Sequence, residues 1–362
     1  MELLGQIPIQ WMLFFILFGI TGVVPLIAAL YLLLRRSNAI APGVTPPERL
    51  RRWTAAFFAV ASLTHVWWFL FYVYSGDQKS MAYMVIVMLD CVTLFTTFAG
   101  TLLSMLQNRR RSMWPVLIAM IPFLLLWGAY MVDPSKLIEQ IVIAYLLLVV
   151  LLFTVYMVVA IRQYGKWLND NYADLENKKV WLCQMVSLGC MLLFVLYILA
   201  TDMVYIWLVH IISIVLVGLL LWRVETLPLL KSTPPTQTQQ PSAPTTIDLA
   251  QIEKLLAENC IAPQLYLQHD LTLQQLAQAV GTNRYYLSQY FSRQGITYNT
   301  YINNLRINHF ISRYQEVAST GQPVGAQQLA QESGFRSYST FGRAFMLRTG
   351  QSVTAWMHDT GE

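Results

Sequence analysis

The chain has 362 residues, 56% of them hydrophobic and only 12% charged, with a mean hydropathy of +0.47. That balance excludes a protein that is water-soluble throughout and points to membrane-spanning segments with something attached. The net charge of +5 is modest, and the four cysteines have no CxxC spacing, so neither a zinc ribbon nor a thiol redox motif is expected.

Seven apolar stretches of near-spanning length occur at 9–34, 53–74, 81–106, 113–132, 137–161, 180–200 and 203–222. Each is close to the ~20 residues a helix needs to cross the hydrocarbon core. The last two are separated only by Thr201 and Asp202. No Lys or Arg precedes the first stretch, and its apolar run is too long for a cleavable signal peptide. Basic residues gather behind it (Arg35, Arg36), before the second stretch (Arg49, Arg51, Arg52), after the third (Arg109, Arg110, Arg111) and between the fifth and sixth (Arg162, Lys166, Lys178, Lys179). The opposite loops carry only Lys79 and Lys136, beside Asp77, Asp133 and Glu139. The positive-inside rule then places the N-terminus outside the membrane, and an odd number of spans brings the C-terminus into the cytoplasm. Trp53, Trp114, Trp181 and Trp222 mark the same, cytoplasmic, ends.

Three ionisable residues stand well inside spans: His65, Asp90 and His210. At ~1.5 Å per residue each lies roughly 10–18 Å deep, so all three can approach the midplane. Buried ionisable groups are costly in lipid, which makes the three a candidate intramembrane sensing site for a ligand, proton or metal. The competing reading, favoured here, is plain interhelical hydrogen bonding, since two His and one Asp on separate helices are no metal signature. Pro25, Pro115 and Pro122 are candidate helix kinks, and residues 164–177 read as a helix extension at the inner membrane interface.

Residues 223–246 form a linker, of which 232–246 are rich in Pro, Thr, Gln and Ser with no charge, a composition expected to be disordered and partly polyproline. A helical domain follows from 247 to 362. Asp248 is a candidate cap for a first helix, with Leu249, Ile252, Leu255 and Leu256 on one face. Then comes LTLQQLAQAVGTNRYYLSQYF, from Leu271 to Phe291. Thr272 and Gln275 have capping-box spacing, and Leu271 with Leu276 makes a hydrophobic staple. Leu273, Leu276, Ala277 and Val280 share one helical face, Gly281 ends the helix, and Asn283 caps the next, on which Leu287 and Phe291 pair. Helix, tight turn and second helix is the layout of a DNA-binding helix-turn-helix.

The pattern recurs in LAQESGFRSYSTFGRAF from Leu329, with the turn one residue longer. Gly334 answers Gly281, Phe341 answers Leu287, Phe345 answers Phe291, Gly325 takes the place of Thr272, and Val324 with Leu329 repeats the staple. Between the copies Thr297 can cap a helix reaching about Tyr314, with Tyr301, Ile302, Leu305 and Phe310 as buried candidates. Over 248–358 this arrangement resembles the C-terminal domain of the AraC/XylS family of bacterial transcription regulators. The resemblance rests on LTLQQLA, GTNRYYLSQYF, ITYNTYINNLRI, LAQESGFRSYSTFGRAF and RTG. The chain departs from the family's pattern at Val353, in the QSVTAW that follows Gly350 without the usual proline, and at Met346. It also departs at Gly342, which costs about 1 kcal/mol of helix propensity relative to alanine.

From Ile247 onward one Lys and seven Arg balance eight acids, but the arginines concentrate in the two motifs and the helix between them. Such local positive potential is what phosphates require. The residues early on the exposed face of each second helix are candidates for base edges: Arg284, Tyr285, Ser288 and Gln289 in the first copy, Tyr338, Ser339 and Arg343 in the second. Arg293, Arg336 and Arg348 are candidates for phosphates.

The expectation is an all-α protein: a seven-helix transmembrane bundle over 1–222, then a helical domain with two helix-turn-helix motifs. It would act as a membrane-bound, sequence-specific DNA-binding transcription regulator whose bundle senses a signal. The alternative is a membrane transporter or enzyme with a fused autoregulatory DNA-binding domain, or a plain tether. Expected partners are double-stranded DNA, the lipid bilayer, a second copy in a homodimer, and a small-molecule or membrane signal. No catalytic residue, cofactor or metal site is expected, because no Walker, HExxH, GxSxG or kinase motif occurs.

Overall fold

The computed structural model describes residues 9–35, 37–74, 76–77, 80–199, 203–230, 249–319 and 325–361. Among these the chain is all-α, with fourteen α-helices, short π and 3-10 turns, and a single isolated β-bridge. Two compact units emerge: Met1–Tyr164 with Val180–Ser232, and Gly165–Lys179 with Thr233–Glu362. Residues 232–246, Asp248, Thr201, Asp202 and Val324, on which the linker, the first cap, a span boundary and the second staple were expected, lie outside the described residues.

The first unit is built from α1 (Ile9–Leu34), α2 (Glu48–Tyr74), α3 (Met81–Met105), α4 (Trp114–Val132), most of α5 (Lys136–Asn171), α6 (Trp181–Leu199) and α7 (Met203–Thr226). Six of them have described residues long and apolar enough to cross a membrane. The described apolar part of α6, Trp181–Leu193, is shorter. Their outer faces carry large apolar side chains such as Phe15, Ile27, Leu125 and Leu152, a surface that water disfavours. Inside, α2 and α3 approach so closely at Gly100 that any side chain there would collide with the Trp53 ring. Pro25 and Pro122 lie inside α1 and α4, but Pro115 stands in the first turn of α4. There its missing N–H costs nothing, so the kink expected at Pro115 is withdrawn.

One end of this unit is closed by side chains answering loop backbone. Glu225 near the end of α7 accepts from Tyr31 Oη at 2.9 Å and from the Ala39 and Ile40 amides at 2.5 and 3.0 Å. Asn38 Nδ2 donates to the Val44 and Glu225 carbonyls, and Gln107 bonds both the Pro228 carbonyl and the Leu230 amide. Buried backbone groups that no helix satisfies are thereby paired.

The second unit contains α8 (Leu249–Leu256), α9 (Leu273–Val280), α10 (Arg284–Arg293), α11 (Tyr298–Ser319), α12 (Ala326–Glu332), α13 (Tyr338–Thr349) and α14 (Val353–Gly361). The Thr272–Gln275 capping box forms with both reciprocal bonds, Gly281 ends α9 in the left-handed region, and Asn283 caps α10. Thr297 caps α11, which runs five residues past Tyr314. Gly325, lacking a side chain, caps α12 without a side-chain bond, while Ser337 supplies the cap of α13.

Helix α11 serves two cores. Its first half gives Tyr298 and Ile302 to a cluster with Leu273, Leu276, Leu287 and Phe291. Its second half gives Ile307, Phe310 and Tyr314 to a cluster with Leu329, Phe335, Phe341 and Phe345. Tyr301 and Leu305 are only partly buried. Arg306, at the junction, is 1% exposed. Its Nε donates to the Tyr266 carbonyl at 2.8 Å, its Nη2 to the Gln268 carbonyl at 2.6 Å, and its guanidinium lies 5.6 Å from the Phe335 ring centre.

The segment read as an interfacial helix extension behaves differently. It is helical only to Asn171, and Leu168, Ala173 and Leu175 are buried within protein. Tyr172 forms the antiparallel bridge with Thr272, and Ala173 N donates to Leu271 O at 3.3 Å. Asn299 Nδ2 donates to the Tyr172 and Ala173 carbonyls at 3.0 and 2.6 Å, and Ala173 joins the first core.

Two glycines separate backbone strain from close approach. Both Gly281 (φ +74°) and Gly334 (φ +88°) are left-handed, but a Cβ at Gly281 meets nothing, whereas one at Gly334 would lie 2.7 Å from Leu267 O and 3.0 Å from Arg306 Nε. Gly281→Ala should therefore cost about 1 kcal/mol of conformational strain, and Gly334→Ala at least about 3 kcal/mol because backbone must also move. Hydrogen exchange of α11 amides in the full-length protein checks this, and equal loss of protection in both variants would contradict it.

Candidate nucleic-acid interface

The DNA-facing candidates belong to α10 and α13, the second helix of each motif. Asn283 and Ser337 occupy matching cap positions, so Arg284, Tyr285, Ser288 and Gln289 correspond to Tyr338, Ser339, Gly342 and Arg343. Leu287 and Phe341, both fully buried, pin each helix from behind. The i, i+1, i+4, i+5 spacing then groups the four positions on one side. Tyr285 is 69% exposed and Tyr338 40%; Ser288, Gln289, Ser339 and Arg343 are exposed and Arg284 is half-buried. At Gly342 the second helix presents open space, since an added Cβ would meet nothing.

The phosphate candidates have different surroundings. Arg293, in the last turn of α10, is exposed. Arg348 Nη2 donates to Asn308 Oδ1 at 2.5 Å, which ties α13 to α11. Arg336 Nη2 lies 2.8 Å from Asp270 Oδ2, and the other oxygen of that carboxylate lies 3.8 Å from Lys178 Nζ. Arg306, counted by sequence among the arginines that supply local positive potential, is removed from any DNA surface by its burial. Burial pulls its guanidinium down to about 10, well below the usual arginine range but still charged at neutral pH.

Sequence reasoning did not find the connector Gly165–Lys179 beside this face. Tyr172 and Asp170 lie within electrostatic reach of Arg284, and Lys179 within reach of Arg343. Burial, then the Arg343 charge, pushes the Lys179 ammonium below the usual lysine range. Only the wet-looking, charge-rich run between two apolar stretches could have hinted at a docked segment.

In the first unit the three intramembrane candidates separate. Thr21 Oγ1 stands 2.9 Å from both His65 Nε2 and His210 Nδ1, which joins α1, α2 and α7. Asp90 makes its hydrogen bonds elsewhere, accepting from the Trp67 and Trp68 indoles at 2.9 and 2.6 Å. Carbonyls only accept, so the 2.8 Å contact from His65 Nδ1 to Ala61 O puts a proton on Nδ1. With neutral rings, a Thr21 hydroxyl turned to His65 Nε2, in place of the Leu17 and Phe18 carbonyls at 2.9 and 3.0 Å, donates there while His210 Nδ1 donates to Thr21. The result is a directed chain, His210 to Thr21 to His65 to the Ala61 carbonyl, whose members polarise one another. No cluster of three His, Cys, Asp or Glu suited to a metal occurs among the described residues. Thr21→Val keeps the shape but orphans two ring nitrogens. It should destabilise the unit by about 1–3 kcal/mol, read as a lowered unfolding midpoint of the purified protein in detergent; an unchanged midpoint would show the chain to be energetically idle.

A family model described as a helix-turn-helix domain matches residues 276–359, which covers both second helices and the whole of the second motif. No curated protein and no solved structure matches the chain. Two capped helix-turn-helix units on a shared α11, together with that match, support a DNA-binding domain of the AraC type.

Proposed function

We propose that this is a membrane-bound transcription regulator: a seven-span bundle in a bacterial inner membrane, with a cytoplasmic domain that reads specific DNA sequences and is governed by a signal acting on the bundle. The observation that carries the DNA-binding part is the doubled helix-turn-helix with its family-model match. Arg284, Tyr285, Ser288, Gln289, Tyr338, Ser339 and Arg343 would meet base edges in the major groove, and Arg293, Arg336 and Arg348 the phosphates. Membrane placement is supported by the apolar helices and by the basic residues on alternate loops. An odd number of spans is needed to bring an external N-terminus and a cytoplasmic DNA-binding domain into one chain.

Genome-wide occupancy of the full-length protein tests the reading directly: it should mark a few promoters, and occupancy without specific sites would end it. Base and phosphate contacts then separate by their response. Gln289→Ala should relax sequence preference at a cost of about 1–3 kcal/mol, whereas Arg293→Ala should weaken all sequences alike and lower the salt slope by about 1. A phosphate role for Arg293 fails if its substitution changes sequence preference and leaves the salt slope unaltered.

The coupling between bundle and domain runs, in this reading, through the connector Gly165–Lys179, whose ends continue into α5 and α6. It sits beside Arg284, Arg343 and the Asp270 partner of Arg336. A docked connector would compete with DNA, and a shift of α5 against α6 would release it. Tyr172 and Thr272 face each other across a bridge whose Ala173 N to Leu271 O bond marks the narrow pair. There the Cα atoms stand about 4.5 Å apart, within disulfide range. The Tyr172→Cys/Thr272→Cys protein should bind DNA at least about tenfold more weakly when oxidised and recover on reduction. Equal affinity in both redox states, with the crosslink verified by mass spectrometry, would exclude competition.

The signal would act near the midplane, where His65, His210 and Asp90 are held in polar contacts. Promoter response to an inducing condition should be lost or shifted in at least one of His65→Ala, His210→Ala and Asp90→Asn. A response equal to wild type in all three would leave these residues a structural role only.

A further inference from the structure

A cavity of about 440 Å³ opens in the first unit between the start of α2 and the α3–α4 turn. Three arginines line it, Arg49, Arg110 and Arg111, together with Ser112, Trp53 and Trp114, and no acidic residue does. Arg49 Nη2 donates to the Arg111 carbonyl at 2.5 Å, which draws two of the cations together. Arg111 is 4% exposed, yet its Nε, Nη1 and Nη2 are buried without a hydrogen-bond partner. Its resolved electrostatic neighbours are Tyr156 and another cation, Arg109.

A buried guanidinium with orphaned donors is costly unless something pairs with it. Its planar fork of N–H groups matches the oxygens of a phosphate, to which arginine binds bidentately. The cavity also holds the N-terminal end of the 19-residue α4, where backbone dipoles add positive potential. Ser112 Oγ accepts from Trp114 N there at 3.2 Å, so that hydroxyl is oriented with its proton turned away from the α4 backbone.

We infer that this cavity is a phosphate-binding site in which Arg49 and Arg110 meet the anion, Arg111 adds unpaired positive charge from the buried layer beneath, and Trp114 borders it. The phosphate can belong to an anionic lipid headgroup or be free in the cytoplasm. The two sources share the same recognition chemistry. Trp114, 70% exposed at the start of α4, suits a headgroup-level position, as amphipathic indoles favour such interfaces.

The purified full-length protein distinguishes the sources. In one arm, native mass spectrometry follows retention of phosphatidylglycerol against phosphatidylcholine. In the other, inorganic phosphate is titrated against thermal unfolding, with chloride at equal ionic strength as control. Preferential retention of phosphatidylglycerol identifies a lipid site, and a phosphate-specific rise in the unfolding midpoint identifies a free-anion site. Either effect should fall at least about tenfold in apparent affinity in Arg111→Gln. Arg110→Gln, altering an exposed arginine that the core does not need, should weaken it several-fold and guards against misfolding of the first variant. The inference is overturned if neither probe binds, or if binding is the same in wild type and in Arg110→Gln.

Discussion

The second unit depends on one buried guanidinium. Arg306 sits at the midpoint of α11, between the two cores, and its donors are taken up by the carbonyls of Tyr266 and Gln268. Those carbonyls belong to the short turn that leads into the first helix-turn-helix, while Phe335 beneath the guanidinium belongs to the second. A lysine could not do this, because one ammonium on a flexible stem cannot span two carbonyls and lie flat on a ring. The constraint propagates to Gly334, where any Cβ would press on Leu267 O and on Arg306 itself. The two motifs are therefore registered against each other by α11 and one side chain, and the spacing of their exposed faces follows from that register.

The same economy of polar contacts governs the apolar helices of the first unit. Dispersion alone does not choose one packing among many apolar faces, but a hydrogen bond between helices does. Thr21 supplies two such bonds at once, and the indoles of Trp67 and Trp68 supply both partners of Asp90. An ionisable group in a span is tolerable when every donor or acceptor is used, and His65 meets that condition through Thr21 and Ala61. Arg111, in the turn between α3 and α4, has no such partner for its guanidinium.

What the sequence made legible follows from which signals are local. Caps, staples and helix faces depend on residues three or four apart, so Thr272, Gln275, Gly281, Asn283 and Thr297 could be placed by spacing alone. The shared spine was legible too, from Ile302 and Phe310 flanking the middle of α11. Arg306 lies in that same i, i+4 register. Its charge nevertheless argued for the surface, and only carbonyls distant in sequence explain its burial. His65 and His210 stood out as charges in apolar runs, whereas Thr21, which joins them, is a neutral residue of a common kind. The connector was hidden for another reason: its Tyr172 and Ala173 are unremarkable as sequence, and their backbone is held by Leu271 and Asn299, about a hundred residues or more further along the chain.

The two motifs, similar in sequence, are unequal in construction, and the inequality has a physical direction. The second copy packs Phe310, Phe335, Phe341, Phe345 and Trp356 into one aromatic cluster. The first relies on aliphatic residues around Phe291, Tyr298 and Tyr301. On its outer face the second copy has Gly342 where the first has Ser288, so three of its four matching positions carry side chains where all four of the first do. With fewer polar groups outside and a larger aromatic core inside, α13 spends its residues on holding position. In the proposed reading sequence preference then weighs more on α10, and α10 is also the helix whose Arg284 neighbours the connector. A segment that competes there acts on the more discriminating half of the interface, so its release would alter which sequences are bound as well as how tightly.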